Sequence, residues 1–201
     1  MKKEYIINWN TVTLEQYLEI QAIRDIDNLN FMMELIKIIF KIEDPESLPY
    51  TEILQYSENL KFMSEPIKEI ALKNYYIINR KKYFLDNDMI NIKAQQVIDY
   101  RNYAKEENNI AKILSVFLIP EGHKYNDGYS IQQVQDDILS MNMVDVFSIS
   151  NFFLKAWQTC LEVFQDYFKE TVENSEKIPE ETKKELMNQL KDLIPDLTFG
   201  R

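Results

Sequence analysis

Apolar positions along most of the chain recur at three- and four-residue intervals, the period of an α-helix that buries one face. Thr13 and Gln16 have the spacing of a capping box, which predicts that a helix starts there. Pro45 is expected to end the second helix, because the residue before a proline avoids helical dihedrals. That second helix is predicted from an apolar stripe formed by Leu29, Met32, Met33, Ile36, Ile39 and Phe40.

Between residues 67 and 85 the pattern changes from helical to β-type. Two runs of aromatic and β-branched residues, Tyr75–Ile78 and Tyr83–Leu85, are separated by the polar residues 79–82. This arrangement predicts a β-hairpin. Residues 4–9 are predicted to form a short strand or an extended arm.

The helical period returns from about residue 92 and predicts helices over 94–101 and 110–118. Ser130 and Gln133 are spaced to cap a further helix, and Ser150 is predicted to cap a long last one. An aromatic and leucine stripe on that helix is expected to lie in the core rather than on the surface. It comprises Phe153, Trp157, Leu161, Phe164 and Phe168.

These patterns together predict a mainly α fold. We expect a helical-hairpin bundle with one small β-hairpin, a long C-terminal helix and an amphipathic tail. The predicted organisation is an N-terminal helical region with the strand arm and β-hairpin over 1–90, a C-terminal helical region over 91–172, and an acidic tail over 173–201.

Two pairs of segments are similar in sequence. Gln16–Ile20 aligns with Gln96–Tyr100, and Met33–Ile42 aligns with Ile110–Ile119. Each copy is predicted to be a helical hairpin that runs into a Pro-Glu turn. The identities are few, so two interpretations stay open: a weak internal duplication, or two hairpins that share an apolar period.

Composition excludes several classes of chemistry. Hydrophobic residues make up 45% of the 201 residues, which is enough to bury a core and excludes a disordered chain. Three Gly, one Cys and one His exclude glycine-rich phosphate loops, disulfide scaffolds and sites built from several histidines. The Asp86–Asp88 segment lacks the later ligand and glycine of a calcium loop. We therefore predict no catalytic residue, no cofactor and no metal.

The charge balance limits the partners. With 23 basic and 33 acidic residues, the formal net charge is −10. Affinity for nucleic acid depends on Lys and Arg, so direct binding is not expected, and Arg80–Lys82 is interpreted as a solvated turn. No segment has the length and apolarity of a membrane span or of a secretory signal. Cys160 is expected to be a buried thiol in a reducing compartment.

Binding to other proteins is the remaining class, and three places are candidates. The glycine-bearing loop after Pro120 carries His123 and Tyr125. Met32 and Met33 suit either an adaptable binding surface or an ordinary core. The tail offers apolar anchors at helical spacing, which fit a groove on a partner. These anchors are Leu186, Leu190, Leu193, Ile194 and Leu197.

Several segments resemble one known group of proteins. They are an Asn-Trp-x-Thr-Val-Thr-Leu-x-Gln-Tyr opening, a Tyr-rich hairpin, Gln96–Tyr100, Ile113–Tyr125 and Ser148–Leu154. Over residues 5–170 the chain resembles small acidic proteins from the structural gene blocks of tailed bacteriophages, especially crAss-like phages of Bacteroides-type hosts. The resemblance implies a tail-assembly chaperone or minor virion protein that binds tail or head–tail subunits. It implies a place in the host cytoplasm during assembly or in the virion, and no catalytic residue.

Other interpretations stay open at this point. One is a stoichiometric virion component, such as a connector, a ring or a packaged cargo protein. Another is an acidic inhibitor or regulator that covers a basic protein surface, for which carboxylates should cluster on one face. A third is an enzyme with a carboxylate pair in a helical core, and its nearest candidates are Asp99, Asp145 and Asp166.

Overall fold

The structure is a computed structural model, and its contacts divide the chain into two compact units, residues 1–150 and 151–201. Its described residues are 7–23, 27–87, 92–106, 108–173 and 179–185. The predicted division into residues 1–90, 91–172 and 173–201 stays a prediction.

The fold is mainly α with one small antiparallel sheet of three strands, so the predicted class is confirmed at this level. Short 3₁₀ helices occupy Pro45–Ser47 and Lys61–Ser64. The regular elements are, in order, α1 (Leu14–Ala22), α2 (Asn28–Phe40), α3 (Tyr50–Asn59), β1 (Tyr75–Ile78), β2 (Lys81–Leu85), α4 (Ala94–Tyr103), α5 (Ile110–Ser115), β3 (Leu118–Pro120), α6 (Ile131–Leu139) and α7 (Met143–Glu173).

Helix α1 starts where the capping box predicts. The Gln16 backbone N–H donates to Thr13 Oγ1 at 3.3 Å, and the Thr13 N–H donates to Gln16 Oε1 at 3.0 Å. Residues 7–9 of the predicted strand arm instead lead into a turn, in which the Thr11 N–H donates to the Asn8 carbonyl at 2.8 Å. Residues 4–6 lie outside the described residues.

The start of α7 differs from the prediction at Ser150. The helix begins at Met143, because Asn142 Oδ1 accepts the Asp145 N–H at 2.9 Å and caps it. Asn142 also forms an antiparallel bridge with Thr13, the residue that caps α1. The beginnings of α1 and α7 are therefore held together, and Ser150 lies inside the helix.

The predicted hairpin is confirmed, with Ile78 opposite Lys81 and a two-residue turn at Asn79 and Arg80. Both turn residues have positive φ, 49° and 65°, as a type I′ turn requires. The predicted helix over 110–118 is too long, since α5 ends at Ser115. The next residues form β3, which pairs with β2.

The core of the first unit lies around α5, β3 and α6, which contact one another. Helix α1 also contacts α6, and α2 packs on α1 and α3. The most deeply buried apolar side chains are Val12, Leu14, Ile36, Tyr83, Leu114, Val116, Phe117, Leu118, Val134, Ile138 and Ile149.

The second unit contains α7 from Asn151 onward and a helical segment over 180–185. In that segment Lys183 Nζ pairs with Glu180 Oε1 at 2.9 Å. Phe153, the first residue of the predicted stripe, is buried, and its ring packs edge-on against Phe152 at 5.1 Å. The other stripe side chains, those of Trp157, Leu161, Phe164 and Phe168, lie outside the part that the structure describes.

Candidate partner-binding surfaces

An open groove of about 750 Å³ runs along α1, α2 and the chain over 60–67. Its charged lining residues are one lysine and one glutamate, Lys61 and Glu65, so it has no excess of either sign. We call it the apolar groove. Its apolar lining consists of Trp9, Tyr17, Ile20, Phe31, Met32, Leu35, Leu60, Met63, Pro66, Ile67 and Phe147.

Trp9 is the best-fixed aromatic side chain of the apolar groove. Its indole Nε1–H donates to the Glu65 carbonyl at 3.0 Å. Its ring packs edge-on against Phe62 at 5.1 Å and Tyr17 at 6.3 Å between centroids. These contacts bridge the turn before α1 and the 3₁₀ helix over 61–64, so one wall of the groove is held in place.

Other side chains of the lining are more adaptable. Phe31 and Met32 on α2 and Met63 on the 3₁₀ helix are only half-buried. Methionine side chains are unbranched and polarizable and can repack against different apolar surfaces. The groove thus combines a fixed tryptophan with adjustable neighbours, an arrangement suited to an apolar segment of another protein.

A second groove, of about 1190 Å³, uses the opposite side of α1. We call it the acid-rimmed groove. Its rim carries Glu15, Glu19, Glu34, Lys37, Lys41 and Glu43. Apolar lining comes mainly from Ile7, Ala22, Ile23, Ile38, Ile42 and Tyr56.

The outer face of the sheet is a third apolar surface. Tyr75, Ile77 and Phe84 are exposed there, Ile77 to 71%. Lys82 Nζ lies 4.8 Å from the Tyr75 ring centroid and 4.6 Å from that of Phe84, and it pairs with Glu121 at 2.8 Å. The lysine therefore covers part of the two rings while Ile77 stays open.

The hairpin is fixed to α6 by a carboxylate at its inner face. Asp137 is 6% exposed and accepts hydrogen bonds from Tyr83 Oη at 2.5 Å, Lys81 Nζ at 2.7 Å and Asn79 Nδ2 at 3.0 Å. Burial acts to raise the pKa of Asp137, but these donors outweigh burial and lower it. Burial first, and then Asp137, raises the pKa of Tyr83.

The carboxylates considered for an enzyme have separate structural contacts. Asp145 is bound by Lys73 Nζ at 2.8 and 3.0 Å. Asp99 accepts a hydrogen bond from Tyr125 Oη at 2.7 Å. The side chain of Asp166 lies outside the described side chains. Asp145 thus joins the segment before β1 to the start of α7, and Asp99 joins α4 to the loop after β3.

The two loop residues predicted to contact a partner have different surroundings. His123 is exposed, with Nδ1 3.1 Å from the Asp127 carbonyl and its ring edge-on to Tyr129 at 5.6 Å. Tyr125 is only 4% exposed, and burial together with Asp99 raises its pKa. The structure therefore gives Tyr125 a role in holding the loop. Partner contact by either residue stays a prediction.

Comparisons with known proteins found no match: no family model, no curated protein and no solved structure. Among the residues that the structure describes, no group of three or more His, Cys, Asp or Glu side chains could hold a metal ion. No helix in the described ranges is both long and apolar enough to cross a membrane.

The tail anchors lie outside the described residues, so their partner contact stays a prediction; they are Leu186, Leu190, Leu193, Ile194 and Leu197. Met32, which suits either an adaptable surface or an ordinary core, lies in the apolar groove. Trp9, Glu15 and Glu19 were not predicted from the sequence. The available signal for the glutamates was their spacing of one turn on a helix with an apolar stripe.

Proposed function

We propose that the chain is a non-enzymatic phage assembly protein, similar in role to tail-assembly chaperones, that holds an apolar segment of a virion subunit in the apolar groove. The observation that supports the proposal is the half-buried aromatic and methionine lining of that groove. When a partner removes such a surface from water, the free energy falls and the complex is stabilised.

The charge of the chain supports the same role. A net charge of −10 opposes association between copies and opposes contact with DNA. A factor that must stay dispersed while it holds a subunit benefits from both effects. The neutral apolar groove still accepts an apolar segment, because its affinity comes from burial rather than from charge.

The test is complementation in a phage that carries the gene. Disrupting the gene should yield particles without complete tails, counted by electron microscopy, and the wild-type gene should restore them. The double variant Met32→Ser with Met63→Ser should fail to restore tails. A matched control, Leu54→Ser with Ile98→Ser, changes exposed apolar residues outside the apolar groove and should restore them. Complete tails without the gene would refute the proposal.

A second candidate is a permanent virion component, and the outer face of the sheet favours it. Tyr75, Ile77 and Phe84 form an exposed apolar face of the kind that a stable interface covers. Quantitative mass spectrometry of purified virions and of infected-cell lysate separates the two candidates. A fixed copy number in virions supports the component, whereas abundance in lysate with absence from virions supports the chaperone.

A further inference from the structure

The rim of the acid-rimmed groove has an excess of negative charge. Among the described residues, four carboxylates and two ammonium groups line it, and Lys37 Nζ is 3.7 Å from Glu34 Oε1. The remaining carboxylates, those of Glu15, Glu19 and Glu43, are exposed and form no ion pair with any other described residue. Lys41 is the only lining cation left to balance these three among the described residues.

Two of these carboxylates repel each other. Glu15 and Glu19 lie one helical turn apart on α1, where like charges destabilise a helix. A cation placed between them removes that repulsion and gains two attractive contacts. The rim therefore favours a positively charged occupant in addition to whatever fills the groove.

Part of the lining is apolar, beside the polar side chains of Thr11, Thr13, Gln16 and Ser140. Ile23, Ile38, Ile42 and Tyr56 belong to the apolar part and are half-buried. An occupant that buries them needs an apolar face of its own beside its cationic groups. A helix with leucine-like residues on one side and Lys or Arg along the edge has this distribution.

We propose that the acid-rimmed groove binds a basic amphipathic helix of a partner protein, with the cations of that helix at Glu15, Glu19 and Glu43. Charge complementarity selects this occupant. A second copy of the chain would bring a net charge of −10 to an acidic rim, and the apolar groove has no preference for either sign. The inference does not rest on the proposed function.

The test uses the full chain and two labelled peptides of about 14 residues, roughly four helical turns. One peptide has leucine and lysine in a helical pattern, and its twin has glutamate in place of lysine. Fluorescence anisotropy should show binding of the lysine peptide and at least about tenfold weaker binding of the twin. Raising NaCl from about 50 to about 500 mM should weaken the lysine complex several-fold.

Charge reversals locate the site. Glu15→Lys with Glu19→Lys should weaken binding of the lysine peptide by about tenfold, and Glu43→Lys, outside the helices, by about threefold. Asp127→Lys with Asp136→Lys makes the same change in net charge at exposed positions outside the groove, and should alter binding less than about twofold. Ile42→Ser should weaken binding by removing part of the apolar lining.

Several outcomes overturn the proposal. Equal losses in the two double variants would show a response to net charge alone. Unchanged binding in both Glu43→Lys and the Glu15 and Glu19 variant would place the peptide elsewhere. Binding only when Lys2 and Lys3 are replaced by alanine would make the chain's own N-terminal residues the occupant. If the Glu15 and Glu19 variant loses its helical circular dichroism signal, Glu43→Lys decides: unchanged binding of the lysine peptide in that variant then overturns the proposal.

Discussion

The helical hairpins α1–α2 and α4–α5 share one pattern of glutamine hydrogen bonds but differ in the elements that pack on them. In each, a glutamine at the third position of the first helix accepts a hydrogen bond from the N-cap N–H at 3.0 Å. Its amide also donates to a carbonyl near the end of the second helix. Gln16 donates to Ile38 at 2.9 Å, and Gln96 donates to Val116 at 3.0 Å. A weak internal duplication and two hairpins that share an apolar period both stay open as interpretations of this likeness.

The surroundings of the two glutamines are different. Gln96 is 1% exposed and also donates to Asp86 Oδ2 at 3.2 Å, and its partner helix α5 contacts both α6 and β3. Gln16 is half-buried and lines the acid-rimmed groove. Both hairpins contribute buried side chains to the core, Leu14 and Ile36 in the first, but only the first has grooves on both sides of its leading helix among the described residues. The elements that pack on each hairpin, rather than the hairpin itself, therefore decide how much of its surface is open to a partner.

The largest expected effect is a difference between two matched substitutions. Gln96→Ala should lower the free energy of unfolding by about 3 kcal/mol, because it leaves the Val116 carbonyl without its donor and opens a cavity. Gln16→Ala should cost about 1 kcal/mol, because water can reach the freed groups. Urea denaturation of both variants measures the difference. Equal losses would show that the two hairpins are equally covered.

A second prediction concerns the polar contact between the β-hairpin and α6, the helix that packs on α5. Asp137→Asn should cost about 2 kcal/mol, because the neutral amide removes the negative charge and one of the two oxygens that accept bonds from Lys81, Tyr83 and Asn79. The lowered pKa of Asp137 means that its stabilisation is present above about pH 4 and is lost as pH falls through the folded-state pKa. Urea midpoints between about pH 2 and pH 7 should therefore vary less in Asp137→Asn. The same acid dependence in both proteins would contradict this role.

At alkaline pH we expect a smaller effect per residue, from three buried tyrosines of the first unit. Burial raises the pKa of Tyr100 to about 12, and burial followed by a nearby aspartate raises those of Tyr83 and Tyr125. Because the unfolded hydroxyls ionise near pH 10, stability should be intact below that pH. It should fall above it by up to about 1.4 kcal/mol per pH unit for each tyrosine. Tyr125→Phe should reduce the slope, measured by urea unfolding between about pH 8 and pH 11. An unchanged slope would refute the assignment.

The sequence predicted the elements that depend on local chemistry. The start of α1 follows from the spacing of Thr13 and Gln16, and the β-hairpin follows from two apolar runs on either side of a short polar turn. Strand β3 was missed because Leu118–Pro120 continues an apolar run, in which period cannot separate a buried helix from a strand. The start of α7 at Met143 was missed although Asn142 carries a local N-cap signal, and only its bridge to Thr13 depends on a residue far away in sequence. Both grooves form where separate helices pack together, and that packing cannot be predicted from a local sequence pattern.

The smallest effect tests whether strain in the Asn79–Arg80 turn of the β-hairpin lowers the stability of the chain. Arg80 has φ of 65°, a conformation that costs a residue with a Cβ about 1 kcal/mol and costs glycine almost nothing. Arg80→Gly should stabilise the chain by about 0.5 kcal/mol, after the entropy of glycine in the unfolded state is subtracted.

Asn79→Gly next to it is the control with the opposite sign. Although Asn79 also has positive φ, its Nδ2 donates to Asp137 Oδ1 at 3.0 Å, so glycine there should destabilise the chain by about 1 kcal/mol. Thermal and urea unfolding measure both. Stabilisation by both substitutions would show that backbone strain, rather than the bond to Asp137, dominates the turn. The attachment of the β-hairpin to α6 would then depend less on this polar network than its geometry indicates.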